Sequence, residues 1–178
     1  MKKLLFLLLV AFATPAVAQE YTVEDGAVKF TRIYEDTGLD VQECHDRVFA
    51  YFASYFNNSN YTCRMDTPSL MIYKGVFGGI GTANMGYVTL DAEYDLQISI
   101  KDGRMRAVLT VSTILCSTNP PTSYQLVEAA PIADEHDAWE TGVYKKAAVG
   151  AFDGLCSRVE GLFDDLGEGL IVKVDDEW

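Results

Sequence analysis

The sequence predicts an α+β fold, a single curved antiparallel β-sheet of about five strands with two helices packed on one face. The clearest observation is a hairpin, because Tyr94–Ile100 and Arg104–Leu115 alternate apolar and polar residues around Asp102-Gly103. A capped helix precedes this hairpin, and a second helical segment follows it. The element order is therefore β-α-β-β-β-β-α within a single domain, residues 19–178.

The N-terminus has the three parts of a signal peptide. Lys2-Lys3 supplies positive charge, Leu4–Phe12 is apolar, and the small residues Ala16 to Ala18 predict cleavage after Ala18. We therefore expect residues 1–18 to be removed and the mature protein to be periplasmic or secreted. The apolar run is too short to cross a bilayer, so we expect no membrane insertion.

The composition limits the classes of partner. The formal charge is −12, and removal of Lys2 and Lys3 with the signal peptide makes it −14. A chain this acidic repels phosphate backbones, which argues against nucleic acid as a partner. The remaining length of about 160 residues suits one domain with a sizeable core.

The first predicted helix covers Val41–Phe56 and begins with a capping box. Asp40 is the expected N-cap, and Glu43 at the third helical position returns the second hydrogen bond. Leu39 is placed to pack on Cys44. Apolar residues at positions 41, 44, 48, 52, 55 and 56 follow the spacing of one buried helix face.

The predicted strands before the second half of the hairpin are Val23–Ile33, Tyr61–Met65, Ser69–Phe77 and Tyr87–Ile100. We expect Gly78–Gly86 to form a glycine-rich hairpin loop. Tyr87–Ile100 is long for one strand, so a bend or bulge is expected near Asp91 to Glu93.

A type I′ turn at Asp102-Gly103 pairs Lys101 with Arg104, and this pairing predicts the register of the whole hairpin. The predicted core face carries Tyr94, Leu96, Ile98, Ile100, Met105, Ala107, Leu109, Val111, Thr113 and Leu115. The opposite face carries Asp95, Gln97, Ser99, Lys101, Arg104, Arg106, Val108, Thr110 and Ser112. One face is therefore core, and the other is available to water or to a partner.

The C-terminal third predicts a surface connection followed by helix. Ser117–Ala133, which contains Asn119-Pro120-Pro121, is the connection. Residues 134–166 are helical, as one helix or two, because their glycines either permit close packing on the sheet or break the segment. Gly167 is the expected stop, Gly169–Val174 a short edge strand, and residues 175–178 an acidic tail.

All four cysteines lie in the mature chain, at Cys44, Cys63, Cys116 and Cys156. An even count in an oxidising compartment is compatible with disulfides, and three connectivities are possible. Each cysteine is equally compatible with a small buried apolar residue. No pair has the CxxC spacing of a redox motif or a zinc knuckle.

Three segments together resemble a known family. They are the capped aromatic helix Asp40–Phe56, the strand containing Tyr73-Lys74-Gly75, and the hairpin Ile98–Arg106 with its Lys-Asp-Gly-Arg-x-Arg string. This combination, over about Val28–Leu115, is similar to an exported bacterial domain family of unknown function with a TATA-binding-protein-like (TBP-like) fold.

The resemblance implies a fold and export, and it implies no activity. The DNA-binding relatives of this fold form a saddle from two repeats, whereas this sequence supplies one unit, a half-saddle. Its acidity and the absence of predicted apolar wedges argue against transferring the DNA function.

The hairpin tip carries the one candidate binding group, Lys101, Arg104 and Arg106. Three cations on an acidic chain suit an anchor for a carboxylate, a phosphate or an acidic glycan. The alternative is that charged residues beside a turn simply discourage unwanted strand pairing. Lys101 and Arg104 face each other as like charges, which is unfavourable unless Asp95, Asp102 or another neighbour compensates.

The other candidate groups have structural explanations. Cys44 and His45 are adjacent on a helix and do not face each other, so a core cysteine beside a flanking histidine is expected. Asp134–Asp137, with His136, suits a helix start better than a cation site. Gly75–Gly81 precedes a strand, whereas a phosphate-binding loop precedes a helix.

We expect no cofactor, no metal and no catalytic set. The first hypothesis is a non-enzymatic module that binds a protein or glycan through its open sheet face or a sheet edge. The alternative is a hydrolase of polysaccharide or peptide, which would need two carboxylates converging in a pocket within roughly 5–10 Å. A third possibility is a homo-oligomer formed through the C-terminal helix.

Overall fold

A computed structural model describes residues 21–56, 63–118, 124–133 and 143–171. Several predictions fall outside these ranges: the signal peptide (1–18), Asn119–Pro121, the acidic segment Asp134–Asp137 with His136, and the acidic tail (175–178).

The described residues form one antiparallel sheet of seven strands with helices. The strands are β1 (Tyr21–Glu24), β2 (Ala27–Tyr34), β3 (Cys63–Thr67), β4 (Leu70–Ala83), β5 (Val88–Lys101), β6 (Arg104–Thr118) and β7 (Tyr124–Glu128). The helices are α1 (Val41–Tyr55), α2 (Ala130–Ala133), α3 (Val143–Ala148) and α4 (Ala151–Ile171). The sheet order is β1-β2-β6-β5-β4-β3, and β7 also pairs with β6. The α+β class is confirmed, and the strand count exceeds the expected five.

The two additional strands are β1 and β7. β1 arises because Val23–Ile33 is interrupted by a hairpin turn at Asp25-Gly26, where φ is 51° and 77°. Positive φ at both central residues is what a type I′ turn requires. β7 lies within Ser117–Ala133 and pairs with β6, so part of the segment that was predicted as an ordered surface connection is a strand of the sheet.

β7 and β2 lie end to end along the same edge of β6. Thr113 pairs with Glu128 of β7, and Val111 pairs with Val28 of β2. The residue between them, Ser112, accepts a hydrogen bond from the backbone N–H of Ala129 at 3.2 Å.

The predicted hairpin register is confirmed from the Lys101–Arg104 pair to the Tyr94–Val111 pair. The turn type was wrong, because only Gly103 has positive φ, at 69°. Beyond Val111 the register shifts by one residue, since Glu93 pairs with Thr113 and Ser112 is extra. Thr113 and Leu115 therefore leave the predicted core face, and their places are taken by Ile114 and Cys116.

The glycine-rich segment continues β4 to Ala83, so the prediction of a loop from Gly78 was also wrong. Residues 78–80 form an irregularity opposite Asp91, whose carboxylate accepts a hydrogen bond from the Gly79 N–H at 2.7 Å. A bend or bulge was expected within Tyr87–Ile100 near Asp91 to Glu93, and the irregularity lies at that level of the sheet, but its extra residues belong to β4. The turn that follows lies at residues 84–87.

Helix α1 confirms its prediction to within one residue. The Asp40 carboxylate accepts from the Glu43 N–H at 2.8 Å, and the Asp40 N–H donates to the Glu43 carboxylate at 3.3 Å. Both halves of the capping box are therefore formed. The buried residues of this helix are Cys44, Val48 and Phe52.

The C-terminal helical segment is divided. α3 and α4 are separated at Val149-Gly150, where Gly150 has a φ of 76° that interrupts the helix. α4 continues through Gly167 to Ile171, so the predicted stop at Gly167 was wrong. Residues 169–171 are helix instead of the expected edge strand, and residues 172–174 lie outside the described ranges.

The core lies between the sheet and the helices α1 and α4. α4 contributes Ala151, Leu155, Val159, Leu162, Phe163, Leu166 and Leu170 to this core. Polar contacts also join α4 to β2, because the Tyr34 hydroxyl donates to the Phe163 carbonyl at 2.6 Å. Arg32 forms an ion pair with Asp164 and lies over the Phe163 ring.

Candidate functional site

One face of the sheet packs on the helices, and we call the opposite face the open face. The alternation along β5 defines the two faces clearly. Even-numbered residues from Val88 to Ile100 are buried, and odd-numbered residues from Thr89 to Lys101 lie on the open face. The predicted division of the hairpin into two faces is thus confirmed as far as Val111.

Four strands of the open face carry apolar residues, which we call the apolar band, and Gln97 and Ser99 of β5 interrupt it. Its members are Ile33, Met65, Leu70, Ile72 and Val108, and they belong to β2, β3, β4 and β6. The pairs Met65–Ile72 and Ile33–Arg106 fix its place on the sheet. Ile33 is 56% exposed, and Met65 is also exposed. Of the residues in this band, the sequence pattern of the hairpin predicted only Val108 on the open face.

The three predicted cations do lie together at one end of the open face. Lys101, Arg104 and Arg106 line a cleft of about 330 Å³, which we call the basic cleft. Its other lining residues are Ile33, Glu35, Ser99 and Met105. The cleft adjoins the apolar band, because Ile33 belongs to both and pairs directly with Arg106.

The cations of the basic cleft exceed their counter-charges. Arg104 forms one ion pair, with Glu35 at 3.5 Å. The side chains of Lys101 and Arg106 have no ion pair or hydrogen bond with any residue in the described ranges. The cleft therefore keeps an uncompensated positive charge on a chain whose formal charge is −12. Such a local reversal of sign attracts anions.

The turn below the basic cleft is held by the segment between β2 and α1. The Thr37 N–H donates to the Gly103 carbonyl at 3.0 Å, and the Gly103 N–H donates to the Leu39 carbonyl at 3.2 Å. These bonds give a physical reason why the turn departs from type I′. They also fix the backbone that carries Lys101 and Arg104.

The other lysines of the open face have acidic partners. Lys29 contacts Glu24 at 2.7 Å, and Lys74 contacts Glu93 at 3.8 Å. Asp95 lies beside Lys74 in the next strand. Positive charge on this face is consequently concentrated in the basic cleft.

A second cleft of about 320 Å³ lies between α4 and β4. Its lining includes Tyr55, Val76, Arg158 and Asp165. It contains one carboxylate among the described residues, as the basic cleft does with Glu35. Neither cleft brings two described carboxylates together.

His45 joins α1 to the edge strand β3. Its Nδ1 lies 3.0 Å from the Asp46 carboxylate, and its Nε2 lies 2.7 Å from the Asp66 carboxylate. Because both ring nitrogens face carboxylates, the doubly protonated ring satisfies both contacts. Burial lowers the pKa of His45, but hydrogen bonds to Asp46 and Asp66 outweigh it, so the pKa is raised overall.

This contact predicts a pH-dependent stability. Because the pKa of His45 is higher in the folded protein than in the unfolded chain, protonation of its ring stabilises the fold. This contribution is complete below the unfolded-state pKa of about 6.5, and it is lost as the pH rises through the folded-state pKa. We expect His45→Gln to reduce the free energy of unfolding by about 1 kcal/mol at pH 5.5 and by less at pH 8.5. Urea unfolding at both pH values measures the difference.

Asp66→Asn is the matched variant for this prediction. It should weaken the pH dependence without abolishing it, because the Asp46 contact remains. An equal loss of stability at both pH values in His45→Gln would contradict the prediction.

Sequence reasoning placed Cys44 in the core and His45 on the helix flank, and both placements are confirmed. It did not find Asp66 as the partner of His45, because the two residues meet only through the packing of β3 beside α1. The sequence offered His45-Asp46 as a local clue and nothing for Asp66.

All four cysteines are thiols in the structure. Cys44 and Cys116 are buried, and Cys63 and Cys156 are half-buried. Burial raises the pKa of Cys116 to about 11, with a smaller contribution from Asp91. A thiol with so high a pKa is a poor nucleophile at neutral pH. The possible disulfide pairing stays a prediction.

None of the helices within the described ranges is long and apolar enough to cross a membrane. The same part of the chain contains no group of three or more His, Cys, Asp or Glu side chains arranged to hold a metal ion.

No family model matches the sequence, and no curated protein does. Two solved structures match in three dimensions. A TBP-like protein from Parabacteroides distasonis superposes with a TM-score of 0.63 at 13% identity, covering 84% of this chain and 96% of that one. The fold is TBP-like. A DUF4468 family protein from Bacteroides ovatus matches with a TM-score of 0.58 at 13% identity, covering 88% of this chain and 94% of that one.

The TBP-like fold confirms the structural expectation drawn from the helix and the hairpin. At this level of identity the likeness concerns the fold alone and assigns no activity. Function must be argued from the open face and the basic cleft.

Proposed function

We propose that this protein is an exported, non-enzymatic binding domain that engages its partner through the open face of its TBP-like sheet. The observation that supports it is the combination of the apolar band with an uncompensated basic cleft on the same face of the sheet. Apolar side chains on an open sheet face favour association, because a partner that covers them removes their surface from water. The basic cleft would orient the partner, because its positive charge attracts a negatively charged part of the partner to that end of the open face.

The geometry of the clefts favours binding over hydrolysis. A glycosidase-like mechanism needs an acid and a second carboxylate on either side of the bond to be broken. Glu35 and Asp165 lie in different clefts, and Glu35 is engaged with Arg104. Within residues 21–56, 63–118, 124–133 and 143–171, no specific observation therefore supports the acidic hydrolase as a second candidate.

Site-specific photo-crosslinking in the organism that encodes the protein tests this proposal. A photoreactive phenylalanine at Thr110, on the open face of β6, should capture a partner that mass spectrometry can identify. The control position is Asp153, an exposed residue of α4. Both substitutions replace solvent-facing side chains, so the fold should be retained in each.

Adducts from position 110 that are absent from position 153 are the expected result. Equal adducts from both positions, or adducts from position 153 alone, would contradict use of the open face. Unfolding curves that match the wild type confirm that both proteins are folded.

A further inference from the structure

We propose that the basic cleft binds a small amphipathic anion, a molecule with one carboxylate or phosphate head and an apolar body. This inference rests on the proposed function of the open face and specifies what that face recognises. The head group would lie among Lys101, Arg104 and Arg106, and the apolar body along Ile33 toward the band.

The requirement for a negative head group follows from the charges. Lys101 and Arg104 face each other across the hairpin, and Arg106 is the next residue on the same side of β6. Like charges directly opposite one another are unfavourable. Glu35 compensates for one of these three cations. An anion bound among the three cations offsets the positive charge that Glu35 leaves uncompensated and gains hydrogen bonds from ionised donors.

The requirement for an apolar body follows from the surface beside the cations. Ile33 is 56% exposed, lines the cleft and pairs with Arg106. Val108 is the next residue after Arg106 on the same side of β6 and adds apolar surface near the cleft, and Ile72 lies farther away, beyond Gln97 of β5. An inorganic ion would leave this surface in water, whereas an attached alkyl or aromatic group would cover it.

The size of the site favours a small molecule. The volume of about 330 Å³ lies at the lower end of the range for small-molecule sites. A long polyanion does not suit the face, because it would meet Glu93 and Asp95 beyond the apolar band. The cleft is also partly preorganised, since Gly103 is bonded to Thr37 and Leu39.

Three probe molecules distinguish the contribution of the anionic head group to binding from that of the apolar body. Octanoate carries both parts, acetate carries the head alone, and octyl glucoside below its critical micelle concentration carries a similar chain on a neutral head. Backbone amide NMR shifts should move for Ile33, Ser99 and Arg106 with octanoate. We expect the octanoate affinity to exceed that of acetate by roughly tenfold or more, because each buried CH₂ contributes roughly two- to fourfold.

Matched variants test the residues. Lys101→Gln and Arg106→Gln should each weaken octanoate binding by roughly two- to fivefold. Lys74→Gln removes an open-face lysine outside the cleft and should leave binding unchanged. Ile33→Ser should abolish the advantage of octanoate over acetate, whereas Val76→Ser, also at 56% exposure, should not.

Four outcomes would overturn the inference: equal affinity for octanoate and acetate, equal affinity for octanoate and octyl glucoside, shifts confined to residues outside the cleft, or no binding at all. The last experiment uses vesicles that contain phosphatidylglycerol. A protein that binds these vesicles but not octanoate also contradicts the amphipathic-anion inference. The photo-crosslinking result is independent of these titrations. An open-face partner captured without octanoate binding would refute the amphipathic anion and retain the proposed function.

Discussion

Gly154→Ala should lower the free energy of unfolding by about 2–3 kcal/mol, although alanine is the better helix former. Gly154 lies in α4 directly against β4. A methyl group built on it would lie 2.1 Å from the carbonyl oxygen of Ile80. That oxygen belongs to backbone in a sheet, so it cannot move aside without disturbing β4. The glycine permits the close packing of helix on sheet.

Gly161→Ala is the control in the same helix. A methyl group at Gly161 would meet no atom within 4 Å. We therefore expect it to stabilise the protein by up to about 1 kcal/mol through helix propensity. Urea unfolding of both variants gives the comparison, and a Gly154→Ala protein as stable as Gly161→Ala would disprove the proposed contact.

Gly75→Ala should be destabilising by a similar amount, about 2–3 kcal/mol, for a different reason. A methyl group at Gly75 in β4 would lie 2.3 Å from the hydroxyl and ring end of Tyr94 in β5. Tyr94 is buried and stacks on Phe77 with ring centroids 4.3 Å apart. Its ring therefore has no free space into which it can move.

A double-mutant cycle with Tyr94→Leu tests this cause. Leucine lacks the distal ring atoms, so Gly75→Ala should cost much less in the Tyr94→Leu background. We expect an interaction energy of about 1–3 kcal/mol between the two positions, measured by urea unfolding of the four proteins. Additive losses would show that the methyl group acts through the backbone of β4 instead.

The parts of the fold that were predicted correctly depend on contacts near in sequence. The capping box at Asp40 and Glu43 and the pairing of Lys101 with Arg104 each involve neighbours within three residues. The bulge at Ser112 could not be found this way, because an alternating pattern does not reveal where one extra residue enters.

The glycines between Gly78 and Gly81 were wrongly predicted to form a loop. Gly78–Gly81 reads as a loop in sequence, yet Gly81 lies within a strand where a methyl group would meet the Ala147 carbonyl at 2.2 Å. The absence of side chains at such positions serves packing, and a partner brought close by tertiary structure cannot be seen locally. At Asp25-Gly26 the prediction instead missed a turn. This Asp-Gly pair joins two paired strands, as Asp102-Gly103 does, and it separates β1 from β2.

The sequence predicted the basic part of the candidate site but not most of its apolar part. Lys101, Arg104 and Arg106 were identified from the hairpin, whose register places them together. Apart from Val108 of β6, the apolar half comes from β2, β3 and β4, and only the strand order brings Ile33 beside Arg106. Long-range strand order is a tertiary property, so the amphipathic character of the site was not visible in sequence.

The pairing of β2 with β6 has a consequence for the order in which the protein assembles. Val28 pairs with Val111, 83 positions later in the chain (111 minus 28), whereas β4, β5 and β6 follow one another through short turns. Closing so long a loop carries a larger entropic cost, so neighbouring hairpins form readily and distant strands pair late. Ile33 reaches Arg106 only with that last pairing. The open face therefore has Ile33 beside Arg106 only after this long-range pairing has formed.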